Sequence, residues 1–457
     1  MAFIRKIRKG DSIYLAKVES YREDGKVKQR VIEYIGKEEN GVAVQKVDIN
    51  RLQVNNVKHY ADVSVLCQIC KQLNLQYLLG KHNKPIIALV IAHLICKASI
   101  FRMSKWIQNS TIKEELGLDE LSTEMLYSAL DYLEECDFNK IEHSIFETWK
   151  LLDPHDTKSY VLDVTDTYIN GKHDETCVRK GKDGKVSKLK QIGLAVSFDN
   201  GFPIMHKTYN GTIHNVKILD DLMAVMAERG VNTIVLDRGF FSEAAINDMH
   251  KLKMKMIVGM KQTAGIKKDI LNRINRDSIY IKANQVPLKN TFVYAQEIKF
   301  MFGKIIVIYN PKYEALKRDK MLSEESTDQD VRYVGYSLIF HNTNLDPKNV
   351  VKKYFDKDII ERSFRTMKTE IKLHPIRHWM PSRINAHIKV CYLCMCILSL
   401  IQFKCKALKV SAIDAVSELE SIYKIKMMHS TTKQSFTKVV TQSKLQKDII
   451  KHLKCSV

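Results

Sequence analysis

Two carboxylates stand at the ends of short apolar runs that read as strands. Asp163 follows Tyr160-Val161-Leu162, and Asp237 follows Thr233-Ile234-Val235-Leu236. Open α/β sheets bind their ligands beyond the carboxyl ends of strands. A lone aspartate there can equally be a cap or a turn former. A third segment changes the balance. Tyr354–Lys368 reads as one helix with Tyr354, Lys357, Glu361, Arg365 and Lys368 close to one face. Ile360, Phe364 and Met367 form an adjoining apolar stripe that can dock on a sheet. This geometry sets Glu361 among cations beside the two aspartates.

Three carboxylates repel one another unless divalent cations lie between them. Mg²⁺ suits such a set, because it takes a few carboxylates together with water and phosphate oxygens. Two such ions, about 3.5–4 Å apart, activate a water or a 3′-hydroxyl and stabilise the leaving oxygen at a scissile phosphate. The neighbouring Lys and Arg residues would hold the polyanion that carries this phosphate.

The elements that must position these groups follow along the chain. Ile13–Ser20 and Val27–Ile35 around Asp24-Gly25 read as a basic β-hairpin, giving a first region over 1–60. Residues 61–155 are helical, with Val65, Leu66, Ile69, Cys70 and Leu73 on one face and further helices over 84–98, 123–135 and 139–152. From 156 to 260 the pattern is three strands, then helix, strand, helix and strand, an α/β sheet with helices on its faces. Residues 261–348 read as a mostly β insertion, with strand-like runs at 278–283, 291–301, 304–309 and 334–341 and one charged helical stretch near 313–327. Helix returns over 349–372 and 383–404, and 406–457 is a basic, helical tail.

Composition agrees with a polyanion partner. The 457 residues include 73 Lys+Arg against 52 Asp+Glu, a formal charge of +21 with pI ≈ 9.3. Nucleic acid is the leading partner for such an excess and a membrane surface the second. The apolar stretches Pro85–Cys96 and Val390–Phe403 are shorter than the ~18–20 residues of a spanning helix. The N-terminus has no apolar signal segment, so a cytoplasmic protein is expected. Of ten cysteines, Cys67-x-x-Cys70 and Cys391-x-x-Cys394 have zinc-like spacing, but both pairs lie in apolar helical runs. Reduced core thiols are expected.

In combination the motifs resemble the DDE transposases of bacterial and archaeal insertion sequences, specifically the group with the signature Tyr-(2)-Arg-(3)-Glu-(6)-Lys. Tyr354, Lys357, Glu361 and Lys368 stand at that spacing. Asp163-Val164-Thr165 resembles the first Asp motif and Asp237-Arg238-Gly239 the second. Gly335-Tyr336-Ser337-Leu338 with Asn342-Thr343 resembles the segment before the Glu helix, and His374–Trp379 with Arg383-Ile384 its continuation. The likeness spans roughly 155–405. It implies an RNase H-like core interrupted by a β-rich insertion, with Asp163, Asp237 and Glu361 as catalytic metal ligands. It also implies Mg²⁺, with Mn²⁺ as a substitute and two ions per site, and DNA contacts from Tyr354, Lys357, Arg365, Lys368 and Arg238. The implied reaction is cut-and-paste transposition: binding of the terminal inverted repeats, strand cleavage, and joining to target DNA by a homodimer in a synaptic complex. The implied setting is the prokaryotic cytoplasm, at the nucleoid.

Two positions depart from the pattern. Lys357 replaces the signature arginine, exchanging a bidentate fork for a point charge. Asn210–Asn215 stands where relatives carry a Gly-Asn pair and then an Asp. Three alternatives share some of these features: a repressor that keeps the fold without catalysis, a structure-specific nuclease on the same core, and a zinc-bearing regulator. Other residues have structural readings beside functional ones. Asp166 is turned away from Asp163 by strand alternation. Pro375 argues against a metal pair made by His374 and His378. Trp379 is either a base-stacking or a core residue, and Arg179, Lys180, Lys182, Lys185, Lys188 and Lys190 form either a solvated hairpin or a phosphate-binding loop.

Overall fold

The computed structural model describes residues 2–10, 12–23, 25–39, 42–44, 51–156, 158–170, 178–181, 184, 186–210, 213–261, 264–323, 333–378, 380–431 and 433–457. They form two units: residues 1–59 with 422–441, and residues 60–421 with 442–457.

The first unit is all β. Strands β1 (Ala2–Lys9), β2 (Ser12–Glu23), β3 (Lys26–Glu39) and β4 (Val42–Val44) make a four-stranded antiparallel sheet in that order. The expected hairpin is its centre. Asp24 lies outside the described residues, while Gly25 adopts φ +74° in the β2–β3 turn. A second, three-stranded sheet joins β5 (Leu52–His59) to two strands near the other end of the chain, β16 (Tyr423–His429) and β17 (Ser435–Val439). The reading of 406–457 as a helical tail did not contain these strands.

The second unit opens with seven helices: α1 (Ala61–Gln72), α2 (Leu75–Leu78), α3 (Asn83–Cys96), α4 (Ile100–Gln108), α5 (Ile112–Leu116), α6 (Thr123–Glu135) and α7 (Phe138–Leu152). The core follows, with β6 (Ser159–Tyr168), β7 (Val178–Lys180), β8 (Val186–Ser197), β9 (Pro203–Asn210), α8 (Asn215–Glu228), β10 (Thr233–Leu236), α9 (Glu243–Lys251) and β11 (Lys255–Gly259). β6, β8 and β9 form an antiparallel meander, and β10 then β11 add parallel to β6. The spatial order β9-β8-β6-β10-β11 is that of an RNase H-like core. Alternation is weak in these strands because both sheet faces are covered, so they read as continuous apolar runs.

The insertion extends this sheet rather than standing apart from it. After α10 (Ala264–Asn272) come β12 (Gln285–Leu288), β13 (Thr291–Phe300), β14 (Gly303–Tyr309), α11 (Pro311–Ser323) and β15 (Tyr336–His341). β15 pairs antiparallel with β11, so the sheet runs on through β14 and β13 to β12. Two expectations fail here. Residues 278–283 form short 3₁₀ turns instead of a strand, and α10 is an additional helix.

The stretch 349–372 is not one helix. It divides into α12 (Pro347–Phe355), α13 (Asp358–Arg365) and a π-helical turn (Thr366–Glu370). Asp356 caps α12 and Lys357 precedes α13, and short acidic side chains at 356 and 358 favour such ends over a helix interior. Lys289 lies 3.5 Å from Asp356 and 3.4 Å from Asp358, spanning the break. α14 (Pro381–Cys405), α15 (Ala412–Glu420) and α16 (Lys444–Leu453) complete the unit.

α14 is apolar on all sides and packs among α1, α3, α6 and β9. Together with the 3₁₀ turn after it, it spans Pro381–Leu408, long and apolar enough to cross a membrane, in contrast to the shorter estimate from the sequence. Of its most apolar window 78% is buried inside the protein, which makes it a core helix. Cys391, Cys394 and Cys396 of α14 and Cys67 and Cys70 of α1 are free, buried thiols. A buried ionic cluster ties α7 to the core. Glu142 accepts from the His206 ring (2.6 Å) and the His206 backbone N–H (2.9 Å), and lies 3.4 Å from Arg229.

Candidate active site

Asp163 and Asp237 are neighbours by register. Leu162 and Leu236 are the last pair of the parallel β6–β10 ladder, and each aspartate follows its leucine, Asp163 within β6 and Asp237 just past the end of β10. Residues in register on neighbouring strands project to the same face, about 4.8 Å apart. β10 ends there, and Asp237 begins a 3₁₀ turn, Arg238–Phe240. β6 does not end. It continues to Tyr168 paired with β8, with Asp163 opposite Leu194. Asp163 therefore marks the point where β6 and β10 part, rather than a strand end. Asp166 is buried and, three residues on, faces the other side.

The segment Tyr354–Lys368 crosses this point in three pieces. Tyr354, in the last turn of α12, lies within the electrostatic reach of Asp237. A Cβ at Gly259, the last residue of β11, would run into Tyr354 Oη, so the glycine makes the room in which this phenol sits. Burial, then the Asp237 charge, holds the phenol well above its ordinary pKa, so it stays neutral beside the carboxylate. Lys357 sits in the break, 4.5 Å from the Tyr354 ring centroid, with Nζ 3.1 Å from Asp237 Oδ1. Burial of Asp237 favours its neutral form. The Lys357 charge, the Arg238 backbone N–H and the Lys357 hydrogen bond outweigh it, so the carboxyl is held below its usual range. Asp237 is ionised and ready to act as a hard oxygen ligand.

Glu361 follows one turn later, about 6 Å along α13 from Lys357. α13 packs on β6 through a face of Ile360, Ser363 and Phe364 and leaves Glu361 exposed. Arg365 is exposed at the end of the same helix, and Arg238 is exposed beside Asp237. Lys368 behaves differently from the one-helix reading, which set it two turns from the metal site. From the π turn its Nζ donates to Thr165 Oγ1 at 2.6 Å. Thr165 is two residues beyond Asp163 on the same face of β6. The cation thus returns to the strand of the first aspartate.

Three supports were not visible in the sequence. Lys353 Nζ donates to Ser159 Oγ at 2.7 Å, fastening α12 to the start of β6. Asn215, at the start of α8, lies so close to Gly239 that a Cβ there would come 2.8 Å from Asn215 Nδ2. This is the departing 210–215 segment, of which Gly211 and Thr212 lie outside the described residues. Finally, His93 of α3 and His387 of α14 hold the chain that leaves the π turn. His93 Nε2 donates to Ile371 O at 2.6 Å, and the His387 ring meets the His93 ring edge-on, 5.2 Å between centroids. Cys391 Sγ lies 3.7 Å from His93 Nε2 and 3.6 Å from His387 Nε2. The spacing of these three groups could admit a metal ion. The His93 nitrogen, however, carries the proton it gives to Ile371 O, and burial pushes the Cys391 thiol far up. The cluster is a neutral hydrogen-bonded clamp. The i, i+4 spacing of His387 and Cys391 is its one trace in the sequence.

Residues 371–378 form no helix, so His374 and His378 do not share one. Trp379, Lys182, Lys185 and the side chain of Arg179 lie outside the described residues. Lys190 of the same cluster donates to Asn385 Oδ1 at 2.7 Å, a link between β8 and α14.

Two models of known families match the chain. Residues 156–397 match the model described as "Transposase DDE domain". The chain belongs to the DDE transposases of insertion sequences. Residues 4–51 match a second model, "IS1634 family transposase, N-terminal domain". This transposase is accordingly an enzyme of the polynucleotidyl-transferase type, and DDE domains in general work with divalent metal ions. Among solved structures, a piggyBac transposase synaptic complex with hairpin DNA is similar at 8% identity and TM-score 0.43, over 79% of this chain and 78% of that one. None of the curated proteins matches the chain.

Proposed function

We propose that this transposase binds the terminal inverted repeats of its element, cleaves the DNA there, and joins the freed 3′-hydroxyls to target DNA. The observation that carries this reading is the adjacency of Asp163 and Asp237 at the parting of β6 and β10, with Lys357 on Asp237 and Glu361 one turn further on. All three are hard oxygen donors, and Asp237 is held ionised. They would hold Mg²⁺, or Mn²⁺ in its place, as a pair of ions. Bound there, the metal would supply Lewis acidity to the attacking and leaving oxygens.

The chain's own residues prepare that chemistry. Lys357, seated over the Tyr354 ring, fixes the Asp237 carboxylate from one side, holding Oδ1 while leaving Oδ2 for a ligand. Lys368, bonded to the strand of Asp163, and Arg365 and Arg238, exposed nearby, would take the phosphates on either side of the cut. In cleavage a water oxygen attacks phosphorus and gives up a proton, the P–O3′ bond breaks, and the departing 3′-oxygen takes up a proton, leaving a 5′-phosphate and a free 3′-hydroxyl. The same chemistry, with the freed 3′-hydroxyl as nucleophile, joins the ends to target DNA. A homodimer, each subunit cutting the end its partner holds, is the assembly proposed for the synaptic step. The expected setting is the prokaryotic nucleoid.

A strand-transfer assay tests the reading. The full chain is incubated with Mg²⁺, a labelled duplex carrying the element's end, and a supercoiled target plasmid. Labelled, joined plasmid is expected. Cleaved ends with no joined product would replace the proposal with a nuclease, and bound but intact ends would replace it with a repressor.

A further inference from the structure

Between Asp62 and Glu114 the chain runs through 51 residues without a carboxylate, while carrying seven Lys and Arg residues. This stretch lies outside both family matches, which cover 4–51 and 156–397. It contains α3, buried from Pro85 to Leu94, and α4. Only Lys97-Ala98-Ser99 joins the two helices, with Lys97 at φ +50°, and the chain bends by 95° across the join. Two helices at about 90–120° across a turn of three or four residues form a helix-turn-helix, whose second helix enters a major groove.

α4 has the surface that this role requires. Ile100, Met103, Ser104 and Ile107 face the protein. On the other side Phe101, Arg102, Lys105, Gln108 and the C-cap Asn109 fall within about 120° of the helix circumference, and all five are exposed. Among the described residues no carboxylate pairs with Arg102 or Lys105. Lys105 Nζ lies 4.8 Å from the Phe101 ring centroid. The Arg102 charge bears on the Cys96 thiol, which is not an anion because burial raises its pKa. Lys84 and Lys97 nearby are engaged with Gly117 O and Glu370, so they are not part of this surface. Phe101 is 58% exposed, an apolar ring held in water beside two cations that lack a counter-ion.

A helix about 10–12 Å across fits the major groove, which is about 12 Å wide. Arg and Lys read guanine O6 and N7 there, Asn and Gln read adenine N6 and N7, and an apolar side chain meets the thymine methyl. The exposed face of α4 carries all three kinds. A lipid surface calls for a broad apolar face, and here a single phenylalanine stands among polar groups. We infer that α4 is a recognition helix that reads base edges in the major groove of the element's terminal repeats. The inference rests on the proposed binding of those repeats and names the side chains that read them.

The test is fluorescence anisotropy of the full chain on two fluorescein-labelled duplexes, one carrying the element's end and one a scrambled sequence of the same composition. Arg102→Ala, and Gln108→Ala with Asn109→Ala, should each weaken the end complex about 5- to 150-fold and change the scrambled complex far less, because a lost base contact removes discrimination. Lys140→Gln, at an exposed lysine of α7, should change neither. The altered side chains are exposed, and circular dichroism checks that the variants fold. Dimethyl sulfate footprinting of the wild-type complex should show guanine N7 atoms of the end protected. Variants that keep the full preference for the end, Lys140→Gln lowering it equally, or every guanine N7 left open would overturn the assignment of α4 and leave end binding intact. Equal losses on both duplexes would make the face a backbone contact and overturn its reading role. Wild-type protein that binds both duplexes alike would overturn the proposed end recognition itself.

Discussion

Gly259→Ala isolates the contact on which the Asp237 side of the site depends. The added Cβ would overlap Tyr354 Oη, and the ring carbon Cζ would lie at 2.8 Å, well inside ordinary contact. The phenol cannot yield by rotation alone, because its ring is rigid, half-buried and covered by the Lys357 amine. The end of α12 must shift, and it carries Lys357, whose amine lies over the same ring and on the same carboxylate. Overpacking of this kind costs about 1–3 kcal/mol in stability. A displacement of about 1 Å at a reacting centre costs on the order of 100-fold in rate. The expected result is a lower melting temperature for the larger unit and single-turnover cleavage of a labelled end slowed about a hundredfold, with affinity for the end nearly unchanged. Tyr354→Phe removes the nearest atom but leaves Cζ, so the double variant should lose less than the two single losses combined. Wild-type stability and cleavage in Gly259→Ala would refute the placement of Tyr354 and the positioning argument with it.

Lys357→Met removes the charge that keeps Asp237 ionised against its burial, so the carboxyl's pKa should rise; the acid limb of the cleavage pH profile should move to higher pH, and an unmoved limb would contradict the pairing. Burial depresses His93 from 6.5 to about 4. The unfolded chain therefore binds the extra proton first. The stability of the neutral clamp is complete above about pH 6.5 and is lost as pH falls towards 4, by at most about 1.4 kcal/mol per pH unit for this group. His93→Gln should flatten that part of the denaturant-measured stability profile. Glu142→Gln leaves Arg229 and His206 without their buried anion, and should cost about 3–5 kcal/mol in urea unfolding; a loss below about 1 kcal/mol would show the cluster to be ornamental.

The sequence was most informative where periodicity and chemistry coincide. The runs before Asp163 and Asp237 are apolar because both faces of their sheet are covered, and so they announce strands and place the aspartates at once. Helices α6 and α8 are legible from their single apolar faces. The segment 354–368 was legible in composition but not in shape. Its helical spacing survives the break at Asp356-Lys357 and the π turn, because turn-forming residues there also fit a helix pattern. The return of Lys368 to Thr165 follows from that irregularity and could not be read from a regular helix. The pairing of β5 with β16 joins residues more than 360 positions apart in the chain, which no local pattern encodes. The His93–His387 clamp is equally non-local, and each histidine alone looks like a core residue.

Asp163, Asp237 and Glu361 are proposed to act as one metal-binding set. The most direct test compares Asp163→Asn, Asp237→Asn and Glu361→Gln with wild type on a single labelled element end, measuring end binding in Ca²⁺ and cleavage in Mg²⁺ or Mn²⁺. A neutral amide is a poor substitute for a hard anionic ligand. Each variant should bind the end about as well as wild type and cleave it in neither metal. Normal cleavage by any one of the three would contradict it.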